Sequence, residues 1–239
     1  MNLIELCRRA WQQLLPSPCL WCSLPVRQHN FMLCEACRSA LPDFPYALCH
    51  FNLLFLPAVS AGLGQTDFQH LLSLSWYQQP YQYWISRWKF QQDPFAGLLL
   101  QQEFSALLQR YQQQHPLPDA ITYVPMATSR ERQRGFNQAR LLAESAARTL
   151  QLPLLHCLER SRFTRPQLGL TRQQRLLNLQ QAFRVTTAAP LPKHLALVDD
   201  VVTTGSTANQ LCRLLKRHGV QQISLWTLAV TPTEHHSSV

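Results

Sequence analysis

Residues 195–207 read Leu-Ala-Leu-Val-Asp-Asp-Val-Val-Thr-Thr-Gly-Ser-Thr. An apolar run meets two adjacent acids, then a hydroxyl-rich loop, then the start of a helix. Few folds accommodate that order. Residues 195–198 are continuously apolar, as a central parallel strand buried on both faces should be. From Ser206 to His218, a helix would put Ala208, Leu211, Cys212 and Leu215 on one stripe, with Gly219 as its C-terminal cap. The strand predicts an open α/β sheet, which binds ligands at the carboxyl ends of its strands. The helix start offers unpaired N–H groups and a partial positive charge, which suit a phosphate. Gly205 lets the backbone approach an anion closely. Thr203, Thr204, Ser206 and Thr207 add hydroxyl donors, and Asp199 and Asp200 are acceptors for a ribose diol. The plainer alternative is a solvated turn with Ser206 as an ordinary helix cap.

From Asp119 onward the chain alternates strand and helix, which argues a mostly parallel sheet. Strands are expected at residues 121–124, 154–158, 195–198 and 223–230, and a helix over 137–150. Earlier, residues 71–77 read as a strand, and helices are expected through Tyr83, Trp84, Trp88 and Phe90 and over 98–111. An amphipathic helix is expected over 1–18, with Leu3, Leu6, Cys7, Ala10, Trp11 and Leu14 on one face. The proline turn at 115–118 marks a boundary. The division read from the sequence is 1–52, 53–117 and 118–232, with a polar, disordered tail at 233–239.

Two arginine-bearing stretches accompany the strand–loop–helix segment. The first is Arg130-Glu131-Arg132-Gln133-Arg134-Gly135-Phe136-Asn137-Gln138. The second, before the acid pair, contains Arg165, Gln167, Gly169, Leu170, Arg172, Arg175 and Asn178. The segment around Asp199 and Asp200 resembles the phosphoribosyl pyrophosphate (PRPP) signature of type I phosphoribosyltransferases. Taken with both stretches, the chain resembles the ComF family, which includes the GntX-type proteins. The resemblance implies a type I phosphoribosyltransferase fold, with Asp199 and Asp200 holding ribose hydroxyls. Residues Val201, Thr203, Thr204, Gly205, Ser206 and Thr207 would hold the 5-phosphate. Arg130, Arg132 and Arg134, in a polar loop, would meet the leaving pyrophosphate. The second stretch would be a mobile loop closing over the substrate, by analogy with related transferases. Lys89 also matches a family position, although a lysine between two aromatics commonly snorkels from a core helix.

The chain has eight cysteines. Cys19-Leu20-Trp21-Cys22 and Cys34-Glu35-Ala36-Cys37 are two CxxC knuckles 11 residues apart. Four thiolates complete a tetrahedral site, for which zinc is the default ion and a structural role the expected one. A redox pair or buried free thiols are the alternatives. The ComF family carries a similar amino-terminal zinc finger. Cys49-His50-Phe51-Asn52 stands where such sequences often carry a further CxxC, so ligand roles for Cys49, His50 or His29 are not assigned. Cys7, Cys157 and Cys212 lie in apolar patterns and read as core.

The net charge is +9 over 239 residues. Between Arg130 and Arg175 ten arginines face three glutamates, a balance of +7. Arginine forks match phosphate oxygens. The stretch is therefore a solvated basic face or a polyanion site for pyrophosphate or nucleic acid. No apolar run approaches the roughly 20 residues a membrane span needs. The charged start predicts no secretory signal, and the cytoplasm is the expected compartment.

Transfer of ribose 5-phosphate from PRPP, with Mg²⁺ bridging the pyrophosphate and ribose oxygens, is the expectation if the domain is catalytic. The rivals are a module of DNA uptake that contacts single-stranded DNA or a partner protein, and a PRPP sensor without turnover. For DNA, Trp21, Phe31 and the aromatics from Trp76 to Phe90 are the candidate stacking residues. The sequence names no acceptor.

Overall fold

The computed structural model describes residues 16–26, 32–160 and 182–232. The amino-terminal helix expected over 1–18 lies almost wholly outside them, as do His29, Phe31, the Arg165–Arg175 stretch with Asn178, and the tail. Along the chain run β1 (Ser17–Pro18), β2 (Pro25–Val26), α1 (Glu35–Ser39), a 3-10 turn (Leu53–Phe55) and α2 (Pro57–Leu63). Next come β3 (His70–Trp76), α3 (Tyr81–Gln91), α4 (Pro94–Gln112), β4 (Ala120–Tyr123), α5 (Thr128–Arg134) and α6 (Gln138–Leu150). The last are β5 (Leu158–Arg160), β6 (Phe183–Val185), β7 (His194–Val202), α7 (Ser206–Arg217) and β8 (Gln222–Val230).

The chain forms two compact units. One takes in the described residues up to Asp43 together with Gln78–Leu100. The other takes in Phe44–Tyr77 and the described residues from Gln101 on.

The second unit is built on a parallel sheet in the order β3-β8-β7-β4. β7 and β8 are its inner strands, and Leu195, Ala196, Leu197, Val198, Ile223, Leu225 and Trp226 have no exposed surface. That is why these strands read as unbroken apolar runs. α6 buries Ala139, Leu142, Ala143, Ala146 and Leu150, and α7 buries Ala208, Leu211, Cys212 and Leu215. Gly219, at φ 95, follows the end of α7, and the N–H of Val220 bonds back to Leu215. Among the described residues no strand pairs on the outer side of β3, where side chains bond to its backbone instead. The Tyr46 hydroxyl donates to the Ser73 carbonyl at 2.7 Å, and Asn52 accepts the Leu71 N–H at 3.0 Å. Bonds of this kind occupy an edge that would otherwise invite pairing.

The strand expected at 154–158 is only partly formed. Leu154 makes a single parallel bridge to Ile121, and the strand proper begins at Leu158, antiparallel to β6. The segment changes partner midway, which an apolar run cannot signal.

In the first unit, β1 and β2 form a short antiparallel pair. Trp84, Ile85 and Trp88 of α3 are buried, and Trp84 Nε1 donates to the Leu20 carbonyl at 3.2 Å. A Cβ on Gly97 would come within 2.4 Å of the Trp88 ring, so α3 and α4 pack closely only because that residue is glycine. Among the described residues no helix is long and apolar enough to cross a membrane.

Candidate ligand site and metal centre

The two acids lie inside β7, not after it. The strand continues to Val202 because Val201 and Val202 pair with Ala229 and Val230 of β8. On the other side, β4 stops short: its register with β7 ends at Tyr123↔Val198, and the Val124 N–H donates to the Val198 carbonyl at 2.9 Å. From Asp199 the strand therefore has β8 on one side and, among the described residues, no strand on the other. Each acid accepts the N–H of the residue after it, Asp200 to Asp199 Oδ1 at 2.8 Å and Val201 to Asp200 Oδ1 at 2.7 Å. Both acids are half-buried.

The chain then turns at Gly205, whose φ of 69 is a left-handed conformation. Gly205 is the N-cap of α7, and no side chain caps the helix there. The start of a 12-residue helix thus points N–H groups at the cleft. Asp199, Val201, Val202, Thr203, Gly205, Ser206, Thr207 and Ala208 line this cleft of about 40 Å³. Thr203, Thr204, Ser206 and Thr207 are exposed, while Gly205 is buried against Leu63 and Phe68. Asn209, one turn into α7, accepts the Asp67 N–H at 2.7 Å and donates to Gln65 at 3.1 Å, which pins the helix start.

Arg130, Arg132 and Arg134 lie on the short helix α5, where a loop is expected from sequence. Gly135, at φ 82, ends that helix. The three arginines are not equivalent: Arg130 and Arg132 are exposed, whereas Arg134 is half-buried. Arg134 Nη1 donates to Gln138 Oε1 at 2.8 Å. Burial lowers the Arg134 pKa, and the charge of Asp200 partly opposes that. Arg160 is a residue that sequence reasoning missed. Its guanidinium sits 5.5 Å from the Phe183 ring centroid, and burial together with the charge of Arg130 lowers its pKa. Asn137 was also missed as a fastener. It caps α6 through the Ala139 N–H at 3.0 Å and donates to the Val124 carbonyl at 3.1 Å. An Asn directly before a periodic apolar run was its readable signal.

Cys19, Cys22, Cys34 and Cys37 come together with their ligand atoms all within 4.8 Å of one another. Four thiolates at a Zn–S distance of about 2.3 Å would sit about 3.8 Å apart in a tetrahedron. The Cys22 and Cys34 sulfurs lie 3.7 Å apart, so the residues present fit that ion. Backbone N–H groups point at the sulfurs: Cys34 to Cys19 at 3.4 Å and Cys37 to Cys34 at 3.5 Å. Burial opposes ionisation of Cys19, but the N–H groups of Cys22, Cys34 and Trp21 outweigh it and bring its pKa down to about 6. Burial and the neighbouring thiols push Cys37 up. Cys49, Cys157 and Cys212 are buried thiols in the second unit.

Residues 137–238 match the family model of the phosphoribosyl transferase domain. Competence protein F of Haemophilus influenzae is 31% identical over 219 residues, covering 88% of this chain and 96% of that protein. The DNA utilization protein YhgH of Salmonella typhi is 32% identical over 231 residues, covering 91% and 98%. Among solved structures, the glutamine PRPP amidotransferase from B. subtilis aligns at 14% identity with a TM-score of 0.42, over 60% of this chain and 30% of that one.

Proposed function

The chain belongs to the ComF family, with Competence protein F and YhgH, and from that membership we propose that its phosphoribosyltransferase-type domain binds PRPP or a related ribose 5-phosphate ligand. The observation that carries this reading is the cleft where β7 outruns β4 and meets the uncapped start of α7. Residues 203–207 take the 5-phosphate through hydroxyls and helix N–H groups. Asp199 and Asp200 accept from the ribose hydroxyls, and Val201 holds the strand between them and the loop. Arg134 faces the pyrophosphate, with Arg130 and Arg132 adding to the local field. Two carboxylates and the ligand's own phosphates are a donor set that suits Mg²⁺, which would neutralise the pyrophosphate charge. If the domain turns over, the bond from ribose C1 to the pyrophosphate oxygen breaks, a bond from C1 to the acceptor forms, and pyrophosphate leaves. The four cysteines hold zinc in a structural role, since four thiolates leave no open position. Keeping them reduced suits the cytoplasm.

The relatives' names concern competence and DNA utilization, which supports a role in the uptake or use of external DNA. One observation favours direct contact with single strands. Of the aromatic candidates, Trp21, Tyr83 and Phe90 are 40%, 44% and 72% exposed, whereas Trp84 and Trp88 are core. The Arg87 guanidinium lies 5.5 Å from the Tyr83 ring centroid, and exposed aromatics beside a basic group suit base stacking.

Titration calorimetry with PRPP and with ribose 5-phosphate, with and without Mg²⁺, tests the first reading. Single-stranded DNA binding across a salt series tests the second. Saturable PRPP binding is expected. A steep salt slope for DNA with no PRPP binding would overturn the ligand reading in favour of the DNA one.

A further inference from the structure

We propose that Gln138 is a positioning residue, whose buried side-chain carbonyl holds the Arg134 guanidinium at the acid-bearing end of β7. It fixes the cation that a pyrophosphate group would meet, and so rests on the ligand reading above. Gln138 opens α6, a place where polar side chains ordinarily reach water, yet it is 1% exposed. Its Oε1 accepts from Arg134 Nη1 at 2.8 Å. Its Nε2 is buried as well and, among the described residues, has no hydrogen-bond partner.

A buried amide one bond short costs stability, and an apolar side chain of similar size would remove that cost. Packing alone therefore favours leucine here. What the amide supplies is an acceptor for Arg134 Nη1. The Gly135 turn between α5 and α6 brings the two side chains together. Asn137 ties the start of α6 to the Val124 carbonyl, and Val124 is tied to Val198, the residue before Asp199. The acceptor is thus fixed relative to the acids by two backbone-anchored steps. The charge of Asp200 reaches the half-buried Arg134 guanidinium, whereas Arg130 and Arg132 are exposed. A guanidinium fixed in advance loses less freedom when it meets an anion.

The test uses the full chain with Gln138→Leu, Arg134→Gln and the double variant. Gln138→Met replaces the leucine variant should that one not fold. PRPP affinity is measured by calorimetry, stability by the urea midpoint, and Arg134 itself by its side-chain ¹⁵N signals without ligand. Gln138→Leu is expected to keep or raise the midpoint and to collapse the dispersion of the Arg134 signals. It should weaken PRPP about tenfold, and lose most of that effect in the Arg134→Gln background, as coupled residues do. Equal losses in both backgrounds would overturn the proposal. So would a destabilised leucine variant with unchanged Arg134 signals, because the amide would then be structural. If the wild-type protein binds no PRPP, the ligand reading fails on its own, and unchanged Arg134 signals would still overturn the positioning role.

Discussion

Asp199 and Asp200 are spared the usual fate of charges in a central strand because β4 ends one residue before them. Each accepts the backbone N–H of the residue after it. Replacing both by Asn keeps the shape and leaves the backbone N–H groups an acceptor, so the fold should survive. Hydrogen bonds to charged groups are worth about 1.5–3 kcal/mol each, so PRPP affinity should fall at least tenfold. Calorimetry on the double variant, with circular dichroism as the check on folding, decides this. Unchanged affinity in a folded protein would remove the acids from the site. The acid pair was legible at this scale because two adjacent charges after an apolar run are rare. The difference between Arg134 and its neighbours was not, since burial at the end of a short helix depends on what α6 brings against it.

The turn from β7 into α7 depends on Gly205, at φ 69. A Cβ there would meet Leu63 Cδ2 at 3.4 Å, and an L side chain in the left-handed region carries its own penalty. Gly205→Ala should cost about 1–2 kcal/mol in urea unfolding. It should also weaken ribose 5-phosphate and PRPP alike, since both carry the 5-phosphate that this turn presents N–H groups to. An alanine variant as stable as the wild type, with full affinity for both, would mean the left-handed turn is incidental. Elements with one dominant signal were readable in advance. The apolar run of β7, the stripe of α7 with Gly219 beyond it, and the paired knuckles each state their own structure. What escaped was decided by neighbours. The acids continue β7 because β8 pairs on to Val202, residues 154–158 divide between two partners, and Arg130, Arg132 and Arg134 coil into a helix that Gly135 ends. A pair of charges reads locally as a break, and only the pairing of β7 with β8 reveals that it is not. The same holds for Tyr46 and Asn52, whose work on β3 exists only once β3 is an edge.

Stability of the second unit should depend on pH through His70, at the amino end of β3. Both ring nitrogens are buried and, among the described residues, without a hydrogen-bond partner. Burial, reinforced by the charges of His115 and His194, brings its pKa from 6.5 down to about 4. Above about pH 6.5 the ring is neutral folded or unfolded, and its contribution to pH dependence is flat. Between about 6.5 and 4 the unfolded chain takes up a proton that the folded one refuses, so stability falls as pH falls, by up to about 3 kcal/mol. His70→Phe should flatten that limb of the urea-midpoint profile, and an unaltered profile would contradict the assignment. Metal removal should act on the other unit. The knuckles have little apolar core of their own, so binding of zinc is folding energy for them. About one zinc per chain is expected, and its absence from carefully prepared protein would defeat the metal assignment. Chelation, or Cys22→Ser, should perturb Trp21, Trp84 and Trp88, which belong to that unit, while Trp76 and Trp226 belong to the sheet. The second unit has its own parallel sheet and buried strands, and so should keep its cooperative transition and its PRPP affinity. Thermal melting followed by tryptophan fluorescence, with and without chelator, separates the two. Loss of one early transition with the late one unmoved is the expected result. If both transitions shift together and PRPP affinity falls with them, the zinc is holding up the sheet as well, and its role is wider than the module that binds it.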